Sequence, residues 1–318
     1  MTKVTVLSRS FSRHPVLRAE LLARYPDASF NDAGVSLSGE ELIKALRGHQ
    51  KAIIALEPIS AEVLDAVPEL RVIAKYGVGF DKIDLAALIT RDVSLGWAGG
   101  VNRRSVAELV IGFAISMLRK LPEANDAVCN DNWHQVVGRQ LSDCTIGIIG
   151  CGHVGQDLGR ILRAGFDCRV LAHDIQDHPT YYTETGVMPS SLDALLREAD
   201  VISVHLPHDT STANILDATH LGMIKASAIL INTARGSLVD EMAIKQMLKA
   251  GTLAGAAFDV FACEPPEDQE LLDLPNFFAT PHVGGSTQES ILAMGRTAID
   301  GLDDYRVPEK GIFPPGLW

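Results

Sequence analysis

The stretch Thr145-Ile-Gly-Ile-Ile-Gly150-Cys151-Gly152-His153-Val154-Gly155 constrains the fold of this chain more than any other feature. A short apolar run meets a Gly-x-Gly-x-x-Gly turn, and a helical pattern follows from Gln156 to Ala164. A second apolar run ends at Asp174, nineteen residues beyond Gly155. Strand, glycine turn, helix and acid at this spacing describe a dinucleotide site. Gly150 allows the tight turn, Gly152 lets backbone approach a pyrophosphate, and Gly155 lets helix and strand pack closely. The helix N-terminus, with His153 and Val154 in its first turn, offers N–H groups to phosphate. Asp174 suits the adenosine ribose hydroxyls and repels a 2′-phosphate. No Arg or Lys follows it before Asp177, so NAD(H) is expected and not NADP(H).

Apolar runs alternate with helical patterns along the whole chain. Val4–Leu7, Ala52–Leu56 and Val72–Lys75 read as buried strands of one parallel sheet, with helices over Pro15–Arg24, Gly39–Leu46 and Ser60–Ala66. A second series reads as strands at Thr145–Ile149, Arg169–Ala172, Val201–His205, Ala228–Asn232, Gly255–Phe258 and Phe277–Ala279. Its helices include Leu192–Glu198 and Glu241–Ala250. Alternation of this kind means parallel sheets with right-handed crossovers. The expected architecture is α/β: two doubly wound parallel-sheet domains, with a Rossmann NAD domain inserted into a flavodoxin-like substrate domain. Residues 1–99 and 286–318 are assigned to the substrate domain and 100–285 to the NAD domain. Two long helices carry the chain between them. Ser105-Val-Ala-Glu108 reads as a capping box that opens the first, which runs to about Arg119. The second follows Gly284-Gly285-Ser286. The apolar tail Ile312–Trp318 is expected to pack on its own domain or at a subunit interface.

With 318 residues, 47% hydrophobic and 21% charged, the chain is an ordinary globular protein with room for two cores. Its net charge of −12 argues against a nucleic-acid partner, though not against an anionic small molecule held at a locally positive site. The N-terminus lacks a signal-peptide core, and Leu109–Leu118 is too short to span a bilayer, so a cytoplasmic location without membrane contact is expected. Five cysteines without a Cys-x-x-Cys pair fit free thiols. The ten histidines show no ligand spacing, so no metal is expected.

Three charged residues follow successive strands of the second series: Arg235 in Asn232-Thr-Ala-Arg-Gly236, Glu264 in Phe258-Asp-Val-Phe-Ala-Cys-Glu-Pro265, and His282 in Ala279-Thr-Pro-His-Val-Gly-Gly285. Ligands of open α/β sheets bind outside the carboxyl ends of the strands, so all three project toward the nicotinamide. A histidine, with an ordinary pKa of about 6.5, suits proton transfer. A glutamate on its far nitrogen fixes the tautomer, and an arginine offers paired donors to a carboxylate and a carbonyl oxygen.

These motifs resemble the D-isomer-specific 2-hydroxyacid dehydrogenases, NAD-dependent enzymes that include D-3-phosphoglycerate, glyoxylate/hydroxypyruvate, D-lactate and phosphite dehydrogenases. The resemblance spans almost the whole chain. It rests on Tyr76-Gly-Val-Gly-Phe-Asp-Lys-Ile-Asp84, Ser105-Val-Ala-Glu108, the glycine turn, His205-Leu-Pro207, Thr233-Ala-Arg-Gly236, Phe258-Asp-Val-Phe261 with Glu264-Pro265, and Pro281-His-Val-Gly-Gly285. It implies that Arg235, Glu264 and His282 are catalytic, and that the backbone of Val78 and Gly79 holds the substrate carboxylate. It implies cofactor contacts at Gly150, Gly152, His153, Val154, Gly155, Asp174, Leu206, Pro207, Thr233, Ala234, Arg235, Asp259, His282, Gly284 and Gly285. Lys75 matches an arginine that meets the distal phosphate in phosphoglycerate dehydrogenases. With Arg103 and Arg104 before the Ser105 cap, it suggests a substrate with a second anionic group: phosphate, phosphonate or carboxylate. The implied activity interconverts a D-2-hydroxy acid and a 2-oxo acid. Phosphite dehydrogenase and an NAD-sensing corepressor-like module of the same fold are the alternatives. The resemblance also implies a homodimer, in which residues from about Arg119 to Arg139, with Trp133, contact the partner. No serine-binding regulatory domain is expected after Trp318.

Overall fold

A computed structural model describes residues 2–309. Two compact units account for them. One runs to Asn102 and resumes at Gln288; the other is Arg103–Thr287.

In the first unit five parallel strands follow β1 (Val4–Val6), β2 (Ser29–Phe30), β3 (Lys51–Ile54), β4 (Val72–Lys75) and β5 (Ser94–Gly96), in the order β2-β1-β3-β4-β5. The middle strands are buried on both faces, which is why they read as unbroken apolar runs. Leu42, Leu46, Leu64 and Leu88 cover one face. Phe11, Leu17, Leu21, Ile299 and Leu302 cover the other. The C-terminal helix Gln288–Asp300 belongs to this second layer, where Gly295 lies against Leu17. Ion pairs of Arg24 with Asp300 and Asp303, and of Arg296 with Glu20, tie it to the helix Pro15–Arg24.

The second unit holds seven parallel strands: β6 (Thr145–Ile149), β7 (Arg169–His173), β8 (Met188–Pro189), β9 (Val201–Val204), β10 (Ile229–Asn232), β11 (Gly255–Phe258) and β12 (Phe277–Ala279). Their order, β12-β11-β10-β9-β6-β7-β8, reverses direction at β6, where a doubly wound sheet opens its ligand crevice. The expected fold class is thus borne out in both sheets. The helix Arg103–Leu118 packs on one face with the glycine-turn helix His153–Phe166, and Phe113 meets Phe278 edge-on at 5.5 Å.

The capping box is a correction. The first long helix opens at Arg103, not after Ser105, and the Ser105 hydroxyl donates to the Gly284 carbonyl at 2.6 Å. That bond anchors the loop after β12. Arg103 and Arg104 therefore lie inside the first turn instead of before it. The tail Ile312–Trp318 lies outside the described residues.

Candidate active site

The glycine turn has the geometry its sequence demands. Gly150 takes φ +98°, and a Cβ there would stand 2.7 Å from the His205 carbonyl carbon. A Cβ on Gly155 would stand 2.1 Å from the Gly150 oxygen, so the helix seats directly on the turn. At Gly152 nothing lies within 4 Å of the same position, which leaves the approach to the helix N-terminus open. No side chain caps that helix, so His153 and Val154 open it with their N–H groups uncapped by any side chain. Asp174 closes the turn from the end of β7: its carboxylate accepts from Cys151 N at 2.6 Å and from Gln176 N at 2.8 Å. Burial, and next the Asp174 carboxylate, push the Cys151 thiol up to about 11, so it stays an inert thiol.

Two buried polar atoms in this crevice lack a hydrogen-bond partner among the described residues: Thr233 Oγ1, just past β10, and His178 Nε2, 4.0 Å from Asp174. Buried polar groups are rarely left unpaired in a native protein. An open glycine turn, a ribose-competent carboxylate and an orphaned hydroxyl are what a bound dinucleotide would complete, so these residues fit NAD(H). Leu206 and Pro207 follow β9 beside the turn, and Ala234 follows Thr233.

Each charged candidate sits on a loop held by a buried polar side chain at its strand end. Asn232 is fully buried, donates to the Arg235 carbonyl at 2.9 Å and accepts from Ala234 N at 3.1 Å. This folds Thr233–Arg235 into a fixed turn. A Cβ on Gly236 would stand 1.9 Å from the Phe261 carbonyl carbon, so only glycine lets the Arg235 turn lie against the loop that bears Glu264. Asp259, 1% exposed, accepts from Val283 N at 2.7 Å, Gly284 N at 2.8 Å and Thr280 Oγ1 at 2.5 Å. These bonds hold His282 at φ +53°, a left-handed conformation that a non-glycine residue adopts only under such restraint. Asp259 thus acts as the anchor of the His282–Gly285 loop, a role the sequence did not reveal.

His282 Nδ1 lies 2.8 Å from Glu264 Oε2, and the other Glu264 oxygen accepts from Phe261 N at 3.1 Å. One face of the imidazole is thereby committed to a fixed carboxylate, and Nε2 is left for a reacting oxygen. Half of the His282 side chain is exposed. A pocket of about 410 Å³ opens beside the pair, lined by Asp259, Phe261, Pro265, Leu272 and Thr280 as well.

The remaining candidates fare differently. Arg104 makes a two-pronged ion pair with Asp157, at 2.8 and 2.9 Å, and Asp157 is buried. A buried carboxylate needs that cation, so Arg104 is not a free cation awaiting a ligand. In the first unit, Lys75 is 5% exposed and its ammonium donates to the Ala55 carbonyl. It supports the Gly77–Gly79 loop from below: Nζ lies 3.5 Å from where a Gly77 Cβ would be. Trp97 Nε1 donates to the Val78 carbonyl at 3.2 Å and fixes the same loop. Among the described residues no cluster of three His, Cys, Asp or Glu is placed to hold a metal, and no helix is long and apolar enough to cross a membrane.

Comparison with known proteins shows the family. The family of D-isomer specific 2-hydroxyacid dehydrogenases, NAD binding domain, matches residues 111–284. A glyoxylate reductase of Thermofilum pendens is 35% identical over 88% of this chain and 84% of its own length. A D-3-phosphoglycerate dehydrogenase of Mycobacterium bovis is 36% identical over 81% of this chain, but the match covers only 48% of that protein. A solved structure from Polaromonas sp. JS6 66, described as a putative D-isomer specific 2-hydroxyacid dehydrogenase, superposes with a TM-score of 0.86 over 95% of this chain and 96% of that one, at 28% identity. The chain belongs to the D-isomer specific 2-hydroxyacid dehydrogenases, and its second unit is their NAD-binding domain. It is an NAD-dependent oxidoreductase.

Proposed function

We propose that this enzyme reduces a 2-oxo acid bearing a second anionic group to the D-2-hydroxy acid, and runs the reverse oxidation. The observation that carries the reductase part of this reading is the 2.8 Å contact of His282 with Glu264 on a loop fixed by Asp259. NAD(H), when bound, supplies or accepts the hydride. His282 Nε2 gives a proton to the C2 oxygen in reduction and takes it back in oxidation. Glu264 holds the ring in the tautomer that allows this and stabilises the imidazolium. Arg235 binds the carboxylate and the C2 oxygen, orienting the acid and stabilising charge on that oxygen. Val78 and Gly79 offer backbone N–H groups to the carboxylate. Asp174 selects NADH over NADPH, because a 2′-phosphate would meet its carboxylate.

The arm after the first long helix supports a homodimer. Helix Leu121–Cys129 buries no residue, and Trp133 and Val137 are 87% and 90% exposed. Apolar surface left bare in this way marks an interaction site. Sedimentation equilibrium at micromolar concentration reads this directly, and a monomer would contradict it.

The deciding experiment for the function is NADH oxidation measured against a panel of 2-oxo acids with and without a second anionic group. Turnover of the doubly anionic acids with the highest kcat/KM, and at least about tenfold preference for NADH over NADPH, a difference of ~1.4 kcal/mol, is expected. No turnover with any 2-oxo acid would end the reading.

A further inference from the structure

The first unit carries a second pocket, of about 350 Å³, at the carboxyl ends of β1 and β3. The strand order reverses between these two strands, and such reversal points are where open parallel sheets bind ligands. Ser8, Arg9, Ser10, Arg13, Ser36 and Glu57 contribute its polar lining. Its two arginines differ from most others of the unit. Arg18, Arg24, Arg91 and Arg296 each pair with a carboxylate. Arg9 and Arg13 have neither an ion pair nor a hydrogen bond among the described residues. The Arg13 guanidinium lies over the Gly34 backbone: a Cβ on Gly34 would stand 2.0 Å from its Nη2. Glu57, the one carboxylate of the lining, is 7% exposed and accepts from Ala55 N at 2.6 Å, which commits it to the turn after β3.

The same turn links this pocket to the proposed carboxylate anchor. Ala55 lines the pocket, the Lys75 ammonium donates to its carbonyl, and that ammonium lies beneath Gly77, next to Val78 and Gly79. The turn at Ala55 thus joins, within one unit, the support of the Gly77–Gly79 loop to a pocket lined by two guanidinium groups that have no partner among the described residues. Guanidinium groups bind phosphate, phosphonate and carboxylate through paired, charge-assisted hydrogen bonds, with serine hydroxyls as ready additional donors. We propose that Arg9 and Arg13 form the subsite for the distal anionic group of the substrate, with its C1 carboxylate on the N–H groups of Val78 and Gly79. The proposal rests on the reading of the protein as a 2-oxo acid reductase. It moves the second anion from Lys75, Arg103 and Arg104 to a different pair of residues.

The test compares Arg9→Gln, Arg13→Gln and the double variant with the native enzyme in NADH oxidation. Phosphonopyruvate and oxaloacetate serve as doubly anionic probes and glyoxylate as the singly anionic one. The ratio of KM for phosphonopyruvate to KM for glyoxylate should rise about tenfold per arginine, with kcat for phosphonopyruvate changed far less. Arg9→Lys and Arg13→Lys should recover part of the loss, since the charge remains without the fork. A native enzyme that reduces phosphonopyruvate well while all three variants keep the native ratio overturns the subsite alone. A native enzyme that reduces glyoxylate but gains nothing from a second charge also overturns it and leaves the reductase reading standing. No turnover of any 2-oxo acid ends both.

Discussion

The two sheets are built alike, and both turn polar residues at their strand ends onto backbone, yet they differ in how the cations beside those ends are held. In the seven-stranded unit Asn232, Asp259 and Asp174 all turn inward onto backbone N–H groups, and each fixes a loop. The charged groups those loops carry are set in place: His282 on Glu264, and Arg235 on a turn that Asn232 closes. In the five-stranded unit the strand-end groups Glu57 and Lys75 likewise serve the turn at Ala55. Beyond them, Arg9 and Arg13 at the switch point have no side-chain partner among the described residues. The contrast separates residues that build a reacting geometry from residues that wait for a ligand. Rigid positioning belongs to the chemistry, which tolerates little displacement. Unpaired charge belongs to recognition, where a ligand supplies the missing partner.

The largest effect should come from the reacting group. His282→Ala is expected to lower kcat by about 10²–10⁴-fold for every 2-oxo acid tested while NADH binding, followed by fluorescence titration, is retained. A loss confined to NADH affinity would make His282 a cofactor contact and nothing more.

Next in size is the anchor beneath it. Asp259→Ala leaves two backbone N–H groups and the Thr280 hydroxyl without their acceptor. Unfolding free energy should fall by about 2–4 kcal/mol, less than three full desolvation penalties because the loop relaxes. kcat should fall with it, since His282 loses the restraint on its left-handed backbone. Asp259→Asn keeps one acceptor and should recover part of both. Chemical denaturation and steady-state kinetics on the same samples decide it, and a stable variant with native kcat would remove Asp259 from the positioning scheme.

Much of this was legible in the sequence, and the reason is local. β4, β6 and β11 fall where the apolar runs put them, because a doubly covered parallel strand has no polar alternation to blur its ends. The glycine turn and Asp174 were legible because their geometry is specified within thirty residues. What escaped is tertiary. Ser105 and Glu108 match a capping signature, but the hydroxyl's partner is Gly284, 179 residues away. Arg104 reads as a free cation until Asp157, 53 residues on, is brought beside it. Arg9 and Arg13 carry no motif, and only the turn after β3 and the gap at Gly34 turn them into a pocket. The edge strands β2, β5 and β8 are two or three residues long, too short for any period to show.

A half-buried histidine under the glycine turn gives a pH handle on the rigid unit. His205 follows β9, its backbone abuts Gly150, and its Nε2 lies 2.8 Å from Ser203 Oγ. Burial pushes the His205 imidazole down to about 3. The unfolded chain, with an ordinary histidine pKa near 6.5, then binds a proton that the folded chain refuses. Stability from this group is complete above about pH 6.5 and is lost as pH falls toward 3, by at most about 1.4 kcal/mol per pH unit. His205→Asn should flatten the acid side of the stability curve between pH 6 and 4. Parallel curves for the two proteins would show that His205 is protonated in the fold.

The smallest expected effect tests the contrast most directly, because it concerns a cation that already has a partner within the protein. Arg104 is 61% exposed, but both prongs of its guanidinium meet Asp157, whose carboxylate is 8% exposed on the glycine-turn helix. Removing the arginine strands a largely buried charge, while solvent reaching the arginine side screens the pair. The cost of Arg104→Met should therefore be about 1 kcal/mol of stability, above an exposed pair and below a fully buried one. Arg104→Met with Asp157→Asn should recover part of it, since the amide has no charge to strand. Neither variant should change the ratio of KM for phosphonopyruvate to KM for glyoxylate, because the cation's partner is within the protein. If Arg104→Met leaves stability untouched and instead raises that ratio as Arg9→Gln is expected to, recognition is spread over both units and the division drawn between them fails.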